Sequence, residues 1–338
     1  MTPRPVDAAI LGSMPDSSHE HTPLPERLLV YGSLARRVAA DLEQRDIGLE
    51  IRWAKEPTAE DFAWADSLCG FPFPPRARER RYRWVQTMSA GLDDYLPYAA
   101  HFGRLTRTIG AMPDLIGQFT LAWVLNWTLN TRHYVHAQQR RSWEPRLSAP
   151  VATDAIILGT GPIGQGIARA LTSFGIRVVG VNTTGRAVDG FSAAATLDDV
   201  PQLLAELSRP RPGAEPAPPV LINALPGSAD TAGLIDATIL DAMSGGLFIT
   251  VGRGITLNTD DLRTALDADR VGFAVLDVFS EEPLPADSWL WEHERVQITP
   301  HVSGQTRPQD VAADLVAALD AFRRGERAPL EVDLTDLR

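Results

Sequence analysis

The sequence predicts an α/β protein of two domains, each built on a parallel sheet, with one domain inserted into the other. Three observations carry this reading. Strand-like apolar runs alternate with helical patterns, which argues for a parallel layer rather than a sandwich. Two connector-like helices, at about 113–130 and 308–323, bracket an inner α/β run. The length, 338 residues at roughly 150 per domain, suggests two domains. The expected division is an outer domain at 26–112 and 305–338, and an inner domain at 113–304.

Each element follows from local chemistry. Residues 1–25 read as a flexible extension whose His19-Glu20-His21 triplet is solvated, and no metal is expected. Arg27–Tyr31 reads as a short strand, 34–42 as a helix and 49–53 as an alternating strand. An apolar stretch at 67–71 leads into a Pro- and Arg-rich loop at 72–81, then a strand at 83–87. The first connector helix has Pro113 near its start and Leu115, Phe119, Ala122 and Leu125 at helical spacing. The second carries Val311, Leu315, Leu319 and Phe322 on one face, with Gly325 as a stop. Five prolines in the eleven residues 209–219 mark a surface loop between a helix at 203–207 and a strand at 220–224.

Composition narrows the function classes. Apolar residues at 44% and charged residues at 22% allow a sizeable core. A net charge of −11 opposes general affinity for nucleic acid or an anionic membrane. The single cysteine, Cys69, excludes an internal disulfide and any paired-cysteine metal or redox motif, and fits the expected cytoplasmic location. No apolar run approaches the roughly 18 residues of a membrane span, nor does one form a signal-peptide core.

The strongest local signal is a strand at 153–158, the turn Gly159-Thr-Gly161-Pro162-Ile163-Gly164, a helix to about 174 and a second strand at 176–181. Ile163, Ile167, Leu171 and Phe174 supply the helix's expected buried stripe. Gly159 permits the tight turn, Gly161 lets the backbone approach a pyrophosphate, and Gly164 lets the helix lie near the strand. With matching context on both sides, the turn implies dinucleotide binding. Where an acidic residue would hold an adenosine ribose stands Asn182, followed by Thr183, Thr184, Gly185 and Arg186. Asparagine does not repel a 2′-phosphate and Arg186 could pair with one, so NADP is the expected cofactor and NAD the alternative. The competing reading is an exposed turn whose arginine touches only water.

Arg253, Glu282 and His301 each follow a β-like apolar run. Strand ends are where open α/β sheets carry their chemistry. Taken singly they read as a surface arginine, a loop carboxylate and a core histidine. Together they offer an anion clamp, a tuning carboxylate and a proton carrier. A planar 2-oxo acid suits a guanidinium fork, and the alkoxide made by hydride arrival needs a proton.

The stretches GTGPIGQGIARAL, LINALPGSADTAGLI, VGRG, LDVFSEEPLP, ITPHVSG and VQTMSAGLDDY resemble, in order, those of the D-isomer-specific 2-hydroxyacid dehydrogenases, most of all the glyoxylate/hydroxypyruvate reductase branch. The resemblance implies a Rossmann-like dinucleotide domain inserted into a flavodoxin-like substrate domain with an intervening cleft, often in a homodimer joined through the nucleotide domain. It assigns Arg253 to the substrate carboxylate and carbonyl, His301 to proton transfer and Glu282 to His301. Ser89, Ala90 and Gly91 match the loop whose amides meet the substrate carboxylate. Besides the glycine turn, Leu225, Pro226, Thr231, Val251, Gly252, Asp277, His301, Ser303 and Gly304 fall at its cofactor positions, Asp277 toward the nicotinamide carboxamide. The expected activity is reduction of a small 2-oxo acid with a nicotinamide cofactor.

The departures are Asn182, Asn258 in place of the usual aspartate, and Gln118 in place of glutamate. Residues 71–75 have no counterpart; they either reshape the substrate mouth or form a proline-stiffened surface loop. Trp143, Trp289 and Trp291 line the pocket or pack between subunits. Other substrates of the family, phosphoglycerate or formate, stay open. The rival from another class is a dinucleotide-sensing, corepressor-like scaffold, against which the three charged residues together argue.

Overall fold

Short, mostly apolar runs make the strands of two all-parallel sheets in the computed structural model. It describes residues 23–145, 154–209 and 218–334. Most of the predicted N-terminal extension, its histidine triplet included, and most of the 209–219 loop lie outside the described residues. The chain divides into two units. One takes the chain up to Met88, Tyr95–Arg107 and the part from Ala312; the other takes Ser89–Asp94 and Thr108–Val311. The division thus falls a few residues from the expected bounds. It also moves Ser89–Asp94, expected in the outer domain, into the nucleotide unit. The backbone supplies one reason, since Thr108 N–H donates to Ser89 O at 3.2 Å.

In the first unit, the elements are β1 (Arg27–Tyr31), α1 (Ala35–Gln44), β2 (Glu50–Ala54), α2 (Ala59–Trp64), β3 (Ser67–Gly70), β4 (Tyr82–Thr87) and β5 (Phe102–Thr106). The strand order β2-β1-β3-β4-β5 is the flavodoxin-like one. Helix α1 buries Ala35, Val38, Ala39 and Leu42, one face at helical spacing. The 71–75 segment is anchored by buried Phe73, whose ring meets those of Tyr95, Tyr98 and Phe102, while Phe71 stays exposed.

The second unit continues with α3 (Met112–Thr128), α4 (Thr131–Gln139), β6 (Asp154–Leu158), α5 (Pro162–Thr172), β7 (Arg177–Val181), β8 (Ala193–Ala195), α6 (Val200–Leu207), β9 (Val220–Asn223) and α7 (Ala237–Leu240). Then come β10 (Gly246–Thr250), α8 (Thr259–Asp267), β11 (Val271–Leu276) and β12 (Val296–Ile298), and last α9 (Pro308–Arg323), which passes into the first unit at Ala312. The order β12-β11-β10-β9-β6-β7-β8 reverses direction between β6 and β9. Both sheet faces are covered. Ala155 and Ile157 point to the α3 and α5 side, Ile156 and Leu158 to the α6, α7 and α8 side. Burial on both faces explains why these strands read as continuous apolar runs.

Two expected stripes are corrected. Helix α3 buries Met112, Ile116, Thr120, Val124 and Thr128, not the Leu115, Phe119, Ala122 and Leu125 row. Outside the exposed side bearing Asp114 and Gln118 the helix is largely apolar, so periodicity does not choose a face. The glycines choose it: a Cβ at Gly117 would stand 2.7 Å from Gly166 O on α5, so the backbones themselves are in contact. Phe174 is 54% exposed, because α5 ends at Thr172 and the turn through Gly175, at φ +77°, carries the ring outward. Helix α9 does bury the expected Val311, Leu315, Leu319 and Phe322. Within the first unit, the Phe322 ring meets Trp84 edge-on at 5.2 Å.

Candidate active site

The second unit's sheet carries the candidate residues along its carboxyl edge. His301 follows β12, Asp277 and Glu282 follow β11, and Arg253 follows β10. Leu225 follows β9, Gly159 follows β6 and Asn182 follows β7. The point between β6 and β9 is the topological switch, where open sheets bind ligands.

At that switch Gly159 has φ +101°, and a Cβ there would stand 3.0 Å from Ala224 O. A Cβ at Gly164 would stand 2.0 Å from Gly159 O, so glycine brings helix and turn together. Gly161, the N-cap of α5, has nothing within 4 Å of its missing Cβ. Pro162 and Ile163 start the helix, whose N-terminal amides face that open space. Tight packing at two glycines and empty space at the third is what a pyrophosphate requires. Leu225 N–H donates to Asn223 Oδ1 at 3.1 Å, and Thr231 Oγ1 donates to Pro226 O at 2.7 Å, so the facing loop is fixed.

The β7 turn is more ordered than an open asparagine would be. Asn182 Oδ1 accepts from Thr184 N and Thr184 Oγ1, at 3.1 and 3.0 Å, while its Nδ2 donates to Arg186 O at 2.9 Å. Both ends of the carboxamide are committed to the turn. Thr183 and Arg186 are exposed.

The histidine–carboxylate pair is formed by Glu282, not by its neighbour Glu281. His301 Nδ1 donates to Glu282 Oε2 at 2.8 Å, and Phe279 N–H donates to the other oxygen at 2.9 Å. That leaves Nε2 of the ring as the nitrogen with another role. His301 sits at φ +52°, with its N–H held by Asp277 O at 2.9 Å, and its side chain is half-exposed. It is therefore no core histidine. Asp277 is wholly buried, and its carboxylate accepts from Thr299 Oγ1 (2.6 Å), Val302 N (2.9 Å) and Ser303 N (3.0 Å). The position that the resemblance turns toward the nicotinamide thus also ties down the loop that carries His301. A Cβ at Gly304 would meet Ile116 of α3 at 2.7 Å, which seats the end of that loop.

Arg253 is held from several sides. Its Nε donates to Asp93 at 2.8 Å and its Nη1 to Gly252 O at 2.9 Å. Gly252 itself packs on Leu225, since a Cβ would stand 2.4 Å from Leu225 O. Val251, largely buried, donates its N–H to Asn223 O at 3.0 Å. The turn then rests on the Glu282 loop: a Cβ at Gly254 would stand 1.9 Å from the Phe279 carbonyl carbon. Gly91 lies against the guanidinium, since a Cβ there would fall 1.5 Å from Arg253 Nη2, while Ala90 packs on the core. The Gly91 N–H already donates to Ser89 Oγ at 3.1 Å.

Three contributors were not singled out from sequence. Buried Asn223 donates to Thr250 Oγ1 (2.9 Å) and Thr256 Oγ1 (2.8 Å), and Thr256 Oγ1 donates to Arg253 O at 2.6 Å. Asn223 and Thr256 therefore brace the Arg253 turn from beneath. A polar residue closing the apolar run of β9 was the available signal for Asn223. Asp93 is the third, and only the folded geometry reveals it. Of the named departures, Asn258 caps α8 by accepting from Asp260 and Asp261 N–H, and Gln118 is an exposed residue of α3. Trp289 packs on the core, Trp291 Nε1 donates to Pro285 O at 2.9 Å, and Trp143 is 97% exposed.

Glycine turn, histidine–carboxylate pair and guanidinium share one carboxyl edge, which is where dinucleotide-dependent oxidoreductases of this fold work. The family model for the D-isomer specific 2-hydroxyacid dehydrogenase NAD binding domain matches residues 121–303. The glyoxylate/hydroxypyruvate reductase A of Citrobacter koseri is 30% identical over 264 residues, covering 75% of this chain and 81% of that protein. The structure of a D-isomer specific 2-hydroxyacid dehydrogenase family protein from Aeromonas salmonicida subsp. salmonicida aligns with TM-score 0.80 and 29% identity, covering 92% of this chain and 99% of the other. A D-isomer specific 2-hydroxyacid dehydrogenase from Xanthobacter autotrophicus, solved in complex with NADPH and MES, aligns with TM-score 0.79 and 25% identity over 93% and 100% of the two chains. The chain belongs to the D-isomer specific 2-hydroxyacid dehydrogenase family. It is an NAD(P)-dependent oxidoreductase rather than a sensing scaffold.

Proposed function

We propose that the protein reduces a small 2-oxo acid of the glyoxylate or hydroxypyruvate kind to the 2-hydroxy acid, reversibly, with NADPH preferred over NADH. The observation that carries this is the 2.8 Å His301–Glu282 pair on the sheet edge that also bears Arg253 and the glycine turn. Gly159, Gly161 and Gly164 with the α5 N-terminus hold the dinucleotide. When bound, its reduced nicotinamide supplies the hydride.

The chain does the rest. Arg253 binds the substrate carboxylate and polarises the carbonyl through its remaining N–H groups. Glu282 keeps the Nδ1 proton in place, so Nε2–H of the charged ring delivers the proton that turns the developing alkoxide into a hydroxyl. In the oxidative direction neutral Nε2 takes that proton back. Asp277 and Phe279 N–H hold the two partners in register, which limits reorganisation during transfer.

For the cofactor, the committed Asn182 carboxamide leaves the exposed Arg186 guanidinium and Thr183 hydroxyl to meet a 2′-phosphate. The Xanthobacter autotrophicus relative bound NADPH, which supports the same choice. The proposed partner is a second copy of the chain, since Leu129, Tyr134, Val135 and Trp143 stand exposed at and beyond α3 and α4. The buried, lone Cys69 suits a reducing cytoplasm. Among the described residues no helix is long and apolar enough to cross a membrane.

Glyoxylate, hydroxypyruvate, pyruvate and bulkier 2-oxo acids, each assayed with NADPH and NADH, test the proposal. Turnover should be fastest with one of the first two acids and NADPH. Absence of 2-oxo acid reduction across the panel would overturn it.

A further inference from the structure

We propose that Asp93 is the positioning residue of the substrate-carboxylate site, acting through Arg253; the inference rests on the reduction reading above. A guanidinium has five N–H donors in a planar fork, and only a fork held in one orientation can meet a carboxylate and a carbonyl together. Two of the five N–H groups of Arg253 are already committed. Its Nε–H goes to Asp93 Oδ2 at 2.8 Å and one Nη1–H to Gly252 O at 2.9 Å. What remains is one N–H on Nη1 and both on Nη2. Nη2 lies directly over Gly91, at the loop matched to the substrate carboxylate.

The packing leaves Arg253 little choice of pose. Gly91 and Gly227 bracket the pair: missing Cβ atoms there would fall 1.5 Å from Arg253 Nη2 and 3.2 Å from Asp93 Oδ1 respectively. Both glycines therefore make room for the ion pair. Neither residue is deeply buried, with Arg253 side chain 30% and Asp93 side chain 43% exposed. Water would otherwise compete for so exposed a guanidinium, and a free arginine would lose its orientation to side-chain entropy. Asp94, the adjacent carboxylate, has no bond to Arg253. The contact spans 160 residues of sequence and closes inside the second unit. It also makes the site less cationic, so a substrate monoanion is held by geometry more than by net charge.

Steady-state kinetics of Asp93→Ala, Asp93→Asn and Asp94→Asn, each also melted thermally and titrated with NADPH by fluorescence, test this. For Asp93→Ala the KM of the 2-oxo acid should rise about tenfold or more, the loss expected for a charged hydrogen bond. The KM of NADPH should hold. Asp93→Asn keeps an acceptor for Nε and should recover part of the loss, while Asp94→Asn should behave as wild type. In an Arg253→Ala background, Asp93→Ala should add nothing further, because its effect passes through the arginine. Unchanged substrate KM in a folded Asp93→Ala enzyme, or full additivity with Arg253→Ala, would overturn the proposal. Failure of the wild-type enzyme to reduce any 2-oxo acid would instead overturn the reduction reading.

Discussion

Replacing Arg186 by alanine removes the one cation placed in the β7 turn without altering its backbone bonds. Those bonds run through Asn182 and Thr184 and use Arg186 only through its main-chain N–H and carbonyl. A 2′-phosphate contact to a guanidinium is charge-assisted and is worth about 1.5–3 kcal/mol when shielded. Arg186 is exposed, so the lower end applies, and about 1.4 kcal/mol corresponds to tenfold in affinity. Arg186→Ala should therefore raise the KM of NADPH about tenfold and leave that of NADH within about twofold. Asn182→Asp should also penalise NADPH, since a carboxylate beside the ribose repels the phosphate. The assay is steady-state oxidation of both reduced cofactors at saturating 2-oxo acid. Equal use of NADPH and NADH by the wild-type enzyme, unchanged in Arg186→Ala, would refute the reasoning.

Three further outcomes follow from the same geometry. Arg253→Lys should lower kcat/KM for glyoxylate by about tenfold or more, because a point charge replaces a planar fork; a change below about twofold would make Arg253 merely structural. Gly254→Ala should cost about a hundredfold in kcat/KM with NADPH binding retained, since the new Cβ collides with the Phe279 carbonyl and separates the Arg253 turn from the Glu282 loop. Cys69 is fully buried, and burial pushes its thiol well above the usual range, so a thiol-specific alkylating reagent should modify it only after unfolding.

How much was legible depended on whether a local pattern decided the outcome. Helix α9 was readable because its apolar residues occupy one face, and the Val311–Phe322 stripe is buried as expected. Helix α3 was not, because Phe119, Leu121, Trp123 and Trp127 spread apolar surface well beyond one stripe and the Gly117–Gly166 approach selects the face. Helix α2 is six residues long and rests on the Thr58–Asp61 capping box, too little for periodicity to register. In the site, Gly159, Arg253, Glu282 and His301 stood out through motif context. Asp93 and Thr256 did not, because their roles arise from juxtaposition: Asp93 reaches Arg253 across 160 positions, and Thr256 holds the Arg253 carbonyl with Asn223 donating to it from β9. The placement of Ser89–Asp94 in the second unit has the same origin, a backbone bond and an ion pair formed only on folding.

The central claim is that His301, held by Glu282, moves the proton in 2-oxo acid reduction. Its most direct test is kcat of His301→Ala with glyoxylate and NADPH, measured beside NADPH affinity. The rate should fall about 10²–10⁴-fold, the usual contribution of general acid catalysis, with cofactor affinity nearly unchanged. A His301→Ala enzyme that reduces glyoxylate at the wild-type rate would contradict it.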